Sequence, residues 1–324
     1  MTSAMSAALD NLISPAVLFF ALGAFAAWVR SDVALPRPVA QALGIYLMAA
    51  IGFKGGVQLR EAGIDGEALL GLAAGLVLGM TLPVIAFALL CRFTPVDRTN
   101  AGAIAAHYGS VSLVTFGAAL TLLEAVGEPT SGYMPAVLAL MEAPAIAVGV
   151  LLARRSGAPG GALGAQVREA VTSGSVLVLI GATVIGVVLG TEGRNDLDGF
   201  FIAPFAGVLA LYLLDMGLLA FGRIGALRLA GWRLVAFALY MPLVGGTVGA
   251  LLGWAIGMDA GDVALLATLA ASASYIAAPA AMRIALPEAD PGLSMPLVLA
   301  VTFPLNLIAG IPLYLAFARL LTGG

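Results

Sequence analysis

The sequence predicts an all-α polytopic membrane protein of ten transmembrane helices, folded as two inverted five-helix repeats in which helices four and nine are discontinuous. Three observations predict it. Of 324 residues, 61% are hydrophobic and 10% charged, with a mean hydropathy of +1.05, whereas a soluble globular protein carries roughly 25% charged residues. Apolar segments recur along the whole chain, separated by short polar loops. Two of those segments carry hydroxyl residues at mid-depth, where a lipid-facing helix has none.

Taken in order, the spans fall at about 13–29, 38–57, 66–91, 99–123, 132–153, 171–190, 199–221, 230–257, 263–286 and 297–318. Each approaches the length of about 20 residues that a helical crossing needs. The 41 Gly and 17 Pro suit closely packed, kinked membrane helices. Residues 1–160 form the first repeat and 161–324 the second, and the longest loop, about 154–170, joins them. With the N-terminus outside, eleven of the fifteen Arg and Lys residues fall on inside loops and four outside. The positive-inside rule then puts both termini on the periplasmic side of a bacterial inner membrane. No basic segment precedes the first apolar run, so no cleaved signal peptide is read.

Composition also excludes functions. Net charge is −3 and no basic run exists, so nucleic acid is not an expected partner; membrane lipid is. One cysteine, Cys91, and one histidine, His107, leave no disulfide framework and no multi-His metal centre. Neither a nucleophile elbow nor a phosphate-binding loop is present, so no enzyme is expected.

The fourth span, from Thr99 to Leu123, lacks Asp, Glu, Lys and Arg, yet its middle reads His107, Tyr108, Gly109, Ser110, Val111, Ser112. Gly109 among polar neighbours is a natural break point. A break frees backbone groups that lipid cannot satisfy, and transporters use such breaks to bind solutes at the midplane. Sliding the chain by 165 residues lays spans one to four on six to nine and Asp97 on Asp262, and brings Gly109 and Ser110 onto Ser274 and Tyr275. Residue identity across this register is poor; the agreement lies in hydropathy and in the placement of the breaks. An odd number of spans per half requires the second half to enter from the opposite side.

Two facing breaks bring helix N-termini together, whose unpaired amides and positive dipole ends suit a small anion. The candidate substrate-binding set is Tyr108, Gly109, Ser110, Val111, Ser112, Ser272, Ala273, Ser274 and Tyr275. Freed carbonyls and hydroxyls suit Na⁺, a hard cation that prefers oxygen. Glu142 lies mid-span beside Pro144, and Thr302 and Asn306 flank Pro304 in span ten; an intramembrane carboxylate marks an ion path. The candidate sodium set is Ser112, Thr115, Glu142, Ser274, Thr302 and Asn306. His107 is a candidate proton relay or anion contact. The bland reading of the small residues is close helix packing. Asp215 in span seven reads as part of the scaffold, and Lys54, at the outer end of span two, as snorkelling to the interface.

The same residues resemble the sodium-dependent bicarbonate transporters best known from cyanobacteria, as a divergent member. Ile51-Gly52-Phe53-Lys54-Gly55-Gly56 with Arg60, Gly109-Ser110-Val111-Ser112 with Thr115, Met141-Glu142-Ala143-Pro144, and Ser272, Ser274, Pro279 and Arg283 before Pro287 and Pro291 are similar to that family's motifs in the same order. The resemblance implies Na⁺-coupled bicarbonate uptake by alternating access. It implies a mobile core of spans three to five and eight to ten that moves, elevator-like, against a scaffold of one, two, six and seven. It also implies a homotrimer and control by a small cytoplasmic PII-like protein. The chain departs from the family where Ala271-Ser272-Ala273-Ser274-Tyr275 replaces a four-Ser-Asp run and Leu113-Val114 replaces Gly-Ser. Those more apolar positions support the alternative of a carboxylate or bile-acid-like organic-anion symporter; a membrane sensor that binds a ligand without moving it is a further alternative.

Overall fold

The computed structural model describes residues 13–63, 65–154 and 174–323. The expected boundary at 160/161 and most of the loop between the halves lie outside them. The described chain is helical, with no strand. In order come α1 (Pro15–Trp28), α2 (Arg37–Ala62), α3 (Gly66–Phe93), α4 (Arg98–Gly109), α5 (Leu113–Ala125) and α6 (Met134–Arg154). Then follow α7 (Gly174–Leu197), α8 (Phe205–Arg223), α9 (Leu227–Ala255), α10 (Ala260–Ala271) and α11 (Ala277–Ala285). Finally α12 (Pro291–Leu297) runs through π turns at Val298–Thr302 and Asn306–Gly310 into α13 (Ile311–Thr322). By length and composition, six helical stretches among the described residues can cross a membrane, one of them the interrupted run Val176–Ala255; Pro15–Trp28 and Ala260–Ala271 are shorter apolar helices.

Local chemistry sets the starts. Ser14 caps α1, ahead of Pro15. The Asp65 carboxylate accepts from Ala68 N at 2.9 Å and Asp97 from Asn100 N at 3.0 Å, while Asp290 accepts from Gly292 N at 2.7 Å, ahead of Pro291. Each satisfies one of the four amides that a helix leaves open at its start.

Between helices in lipid there is little hydrophobic driving force, so association depends on close packing through small residues. α2 lies on α7, where Gly52 and Gly56 face backbone of α7 and Gly186 faces backbone of α2. A methyl on Gly56 would sit 2.0 Å from the Thr183 carbonyl oxygen. α1 packs on α8; α3, α4 and α6 pack on one another, as do α9, α10 and α13. Leu18, Leu69, Leu177, Val188 and Leu313 keep half or more of their surface exposed, on helix faces that suit lipid.

Two local readings change. Gly109 stays helical and ends α4; its missing side chain is filled by the Pro83 ring of α3, which would lie 2.2 Å from a Cβ there. The break begins one residue later. Span two extends to Ala62, so Lys54 lies two turns inside α2, where it pairs with Glu124 at the end of α5. Arg60 donates to the carbonyls of Val187 and Val188. There the chain of α7 turns at Gly190, whose φ of 61° favours glycine.

The register between the halves also shifts. α4 and α10 are both 12 residues long; Asp97 precedes one and Asp259 the other, and the backbone leaves helical geometry at Ser110 and Ser272. These positions are 162 apart, not 165. Asp262, the expected partner of Asp97, lies one turn inside α10 and accepts from Ser131 N and the Tyr133 hydroxyl. Hydropathy averages over a whole span and tolerates a slip of one turn.

Candidate functional site

α4 ends because Ser110 turns extended, with φ −86° and ψ 167°. Two residues later Ser112 starts α5, its hydroxyl accepting from Thr115 N at 3.2 Å and from Thr115 Oγ1 at 2.9 Å. α10 ends the same way at Ser272, φ −79° and ψ 169°. α11 then begins at Ala277, with Ala278 N donating to Ser274 Oγ at 3.2 Å. Both interruptions therefore read Ser-x-Ser, Ser110-Val111-Ser112 and Ser272-Ala273-Ser274.

The two interruptions touch. Ser274 N donates to the His107 carbonyl at 2.9 Å, and His107 Nδ1 lies 2.6 Å from the Ser274 carbonyl oxygen. A carbonyl only accepts, so Nδ1 carries the imidazole proton. Ser112 N donates to Ser272 Oγ at 2.9 Å, and the Ser272 hydroxyl donates to Leu269 O at 2.8 Å. Amides and carbonyls released by one break are thus partly satisfied by the other, which is how irregular backbone survives at membrane depth.

A cavity of about 30 Å³ lies at the starts of α5 and α11. Ser112, Ser274, Tyr275 and Glu142 provide its polar wall, and Met48, Val111, Leu113, Leu138 and Leu179 are among its apolar lining. Ser112 spends both lone pairs on Thr115, so its own O–H is left to donate; Ser274 accepts one bond and keeps a lone pair and a proton. The Tyr275 hydroxyl faces Ser112 and is buried without a hydrogen-bond partner. The Ser110 hydroxyl is likewise buried and unpartnered. Glu142 is 6% exposed, on α6 two residues before Pro144.

The remaining expected residues stand elsewhere. Tyr108 donates to Thr302 Oγ1 at 2.7 Å, and Thr302 donates to the Ala238 carbonyl at 2.8 Å, tying α4 to α9. Asn306 donates to the Ala271 carbonyl at 2.8 Å and receives Tyr314 at 3.0 Å, closing the end of α10. Thr115 buttresses Ser112; Gly109 seats Pro83; Ala273 is buried inside its break. His107 lines a separate cavity of about 160 Å³ with Arg283 and Asp290. The sequence reading missed Met48, Leu138 and Leu179. An apolar residue on a membrane helix carries no mark of the neighbour it faces.

Helices with apolar outer faces, and a cavity built where two interrupted helices meet, fit a polytopic membrane transporter. Residues 15–319 match the family model of the Na⁺-dependent bicarbonate transporter superfamily, and the chain belongs to that superfamily. It is therefore a transporter and not an enzyme. No individual curated protein matches the chain.

Proposed function

We propose that the protein moves bicarbonate or a similar small anion together with Na⁺, by alternating access around the cavity between the two breaks. The observation that carries this reading is the shared wall: two helix N-termini, the free Ser112 proton and the Glu142 carboxylate line one cavity. The first-turn amides of α5 and α11 and the Ser112 hydroxyl would hold the anion. Glu142 and Ser274 would supply oxygens to Na⁺. An anion beside a carboxylate is repelled, by about 4 kcal/mol at 4 Å for an effective dielectric of 20. A Na⁺ ion between them reverses the sign, so each solute strengthens binding of the other. Thr302 and Asn306, both spent on protein partners, would fix the breaks instead of ligating the ion.

The same reading takes the chain as ten spans in two inverted repeats. The 162-residue register and the paired Ser-x-Ser breaks support it. α1, α2, α7 and α8 would form the scaffold, and the remaining helices a core that moves against it. A homotrimer in the bacterial inner membrane, with both termini periplasmic, completes the proposal. Control by a PII-like protein would act at the inner face.

Uptake of labelled bicarbonate into proteoliposomes tests it. Accumulation should follow an inward Na⁺ gradient; uptake indifferent to that gradient excludes symport. A second reading, symport of an organic carboxylate, is favoured by the apolar lining of Leu113, Leu138 and Leu179. Competition by pyruvate in the same assay separates the two. A sensor that only binds would show saturable binding and no counterflow.

A further inference from the structure

A second, larger cavity of about 650 Å³ opens between α2, α8 and the α11–α12 region, and reaches inward to Tyr275 at the break. Arg37, the first residue of α2, and Arg223, the last of α8, stand at its rim. Asp215 lines it two turns deeper along α8, near the middle of that helix, and is 7% exposed. At its inner end the Tyr275 hydroxyl is buried and unpartnered.

No hydrogen bond or ion pair to Asp215 is found among the described residues. The charged and titratable groups that face it are few. Tyr212 lies one turn away on the same helix, and Tyr275 comes from the break. Arg37 and Arg223 are at the rim. α1 and residues 291–305, also packed on α8, contribute no titratable side chain.

A carboxylate alone at membrane depth is costly unless it is neutralised. A cation such as Na⁺ needs several oxygen ligands, as other hard cations do. α8 is an unbroken helix around Asp215, so its carbonyls are spent on the helix and offer none. The break at Ser110–Ser112 differs in this respect. One carboxyl with phenols nearby is a poor metal site, but a proton needs only the one oxygen.

We propose that Asp215 is a proton-binding site of this vestibule, and that its protonation is required for an anion to pass between the arginine rim and the helix breaks. A proton from vestibule water adds to a carboxylate oxygen. The neutral group then lets an anion by, and the ionised one repels it. The passage step rests on the anion-transport reading above; the proton site does not.

Infrared difference spectra of the purified full-length protein, wild type against Asp215→Asn at neutral pH, test the site directly. The expected result is a carbonyl-stretch band of a protonated carboxylic acid that the variant lacks and that Glu142→Gln retains. No band difference at Asp215 overturns the proposal. Passage is read as Na⁺-driven bicarbonate uptake in proteoliposomes, with bicarbonate held constant by adjusting CO₂ while pH is varied on the vestibule side. Wild-type uptake should fall on the order of tenfold per pH unit once Asp215 ionises, as for any single required proton. Asp215→Asn should be flat over the same range, and Asp215→Glu should keep the slope at a displaced pH. A variant profile that matches wild type overturns the gating role. Uptake absent from every protein counts against the transport reading, and the band then decides the proton site.

Discussion

A hydroxyl oxygen has two lone pairs, and at Ser112 both go to Thr115. That leaves one proton as the only free function of the side chain, so Ser112 can serve an anion better than a cation. Ser272, by contrast, accepts from Ser112 N and donates to Leu269 O, and acts as the joint between the breaks. Ser272→Ala would leave a buried amide unpaired, at about 1–3 kcal/mol. The expected result is a lower melting temperature in detergent and a smaller change in the bicarbonate concentration that half-saturates uptake. Ser112→Ala should lower both stability and affinity, because it removes a helix cap worth about 1 kcal/mol and the proton facing the cavity. Glu142→Gln should abolish the dependence of uptake on Na⁺ while the protein still folds; unchanged Na⁺ dependence would remove Glu142 from the cation site. At the edge of the membrane, burial raises the Asp97 carboxyl, but hydrogen bonds from the Asn100 side chain and nearby amides outweigh it and hold the group below its ordinary value of 3.8. A lowered value in the folded state stabilises the protein above that ordinary value and fades as acid protonates the group. The wild type should therefore lose part of its stability below about pH 4, and Asp97→Ala should be less stable at neutral pH and lack that step, read by thermal melts across pH.

At the scale of elements, small residues decide how near two helices can come. Gly56 of α2 has the Thr183 carbonyl oxygen 2.0 Å from where its Cβ would be, and Gly186 of α7 has the Phe53 oxygen at 2.3 Å. The obstacle is backbone in both cases, so no rotamer change relieves it. Gly56→Val should destabilise the α2–α7 pair by about 1–3 kcal/mol, the range for overpacked cores, and a melt or detergent-resistance assay would read it. The helices themselves are legible from hydropathy. Both interruptions are legible from their hydroxyls, because polar groups at mid-depth are costly in lipid and persist where they line a cavity. What is not legible has physical causes. The 165-residue register rests on span averages, and the helix starts at Asp97 and Asp259 with the ends at Ser110 and Ser272 bring it to 162. Gly109 looks like a hinge because glycine permits one, yet it is small to admit Pro83. The π turns at Val298–Thr302 and Asn306–Gly310 have no sequence signature beyond Pro304. Thr302 and Asn306 look like ion ligands because a sequence displays their polarity and hides their partners, Ala238 and Ala271.

Across the whole molecule, the two sides of the cavity between the breaks are closed unequally. On the side of Arg37 and Arg223, a vestibule of about 650 Å³ reaches Tyr275. On the other side α2 meets α5, and the Lys54–Glu124 ion pair spans them beside a cavity of about 110 Å³. Those helices belong to the proposed scaffold and the proposed core, so any sliding of one past the other must break that pair. Its side chains are 31% and 50% exposed, which limits its worth to about 0–1 kcal/mol. The pair therefore biases the equilibrium and cannot lock it. A bias of that size corresponds to at most about fivefold in population. Glu124→Gln should raise the rate at which an impermeant thiol reagent labels Thr121→Cys by up to about that factor, in a background with Cys91 replaced by Ser. Thr121 is a suitable reporter because it lines the same cavity. A Lys54→Gln, Glu124→Gln double variant should label no faster than either single one, since each change already removes the whole pair. Additive effects would mean that the two residues act through different partners, and equal labelling in all four proteins would mean that the ion pair does not bear on opening.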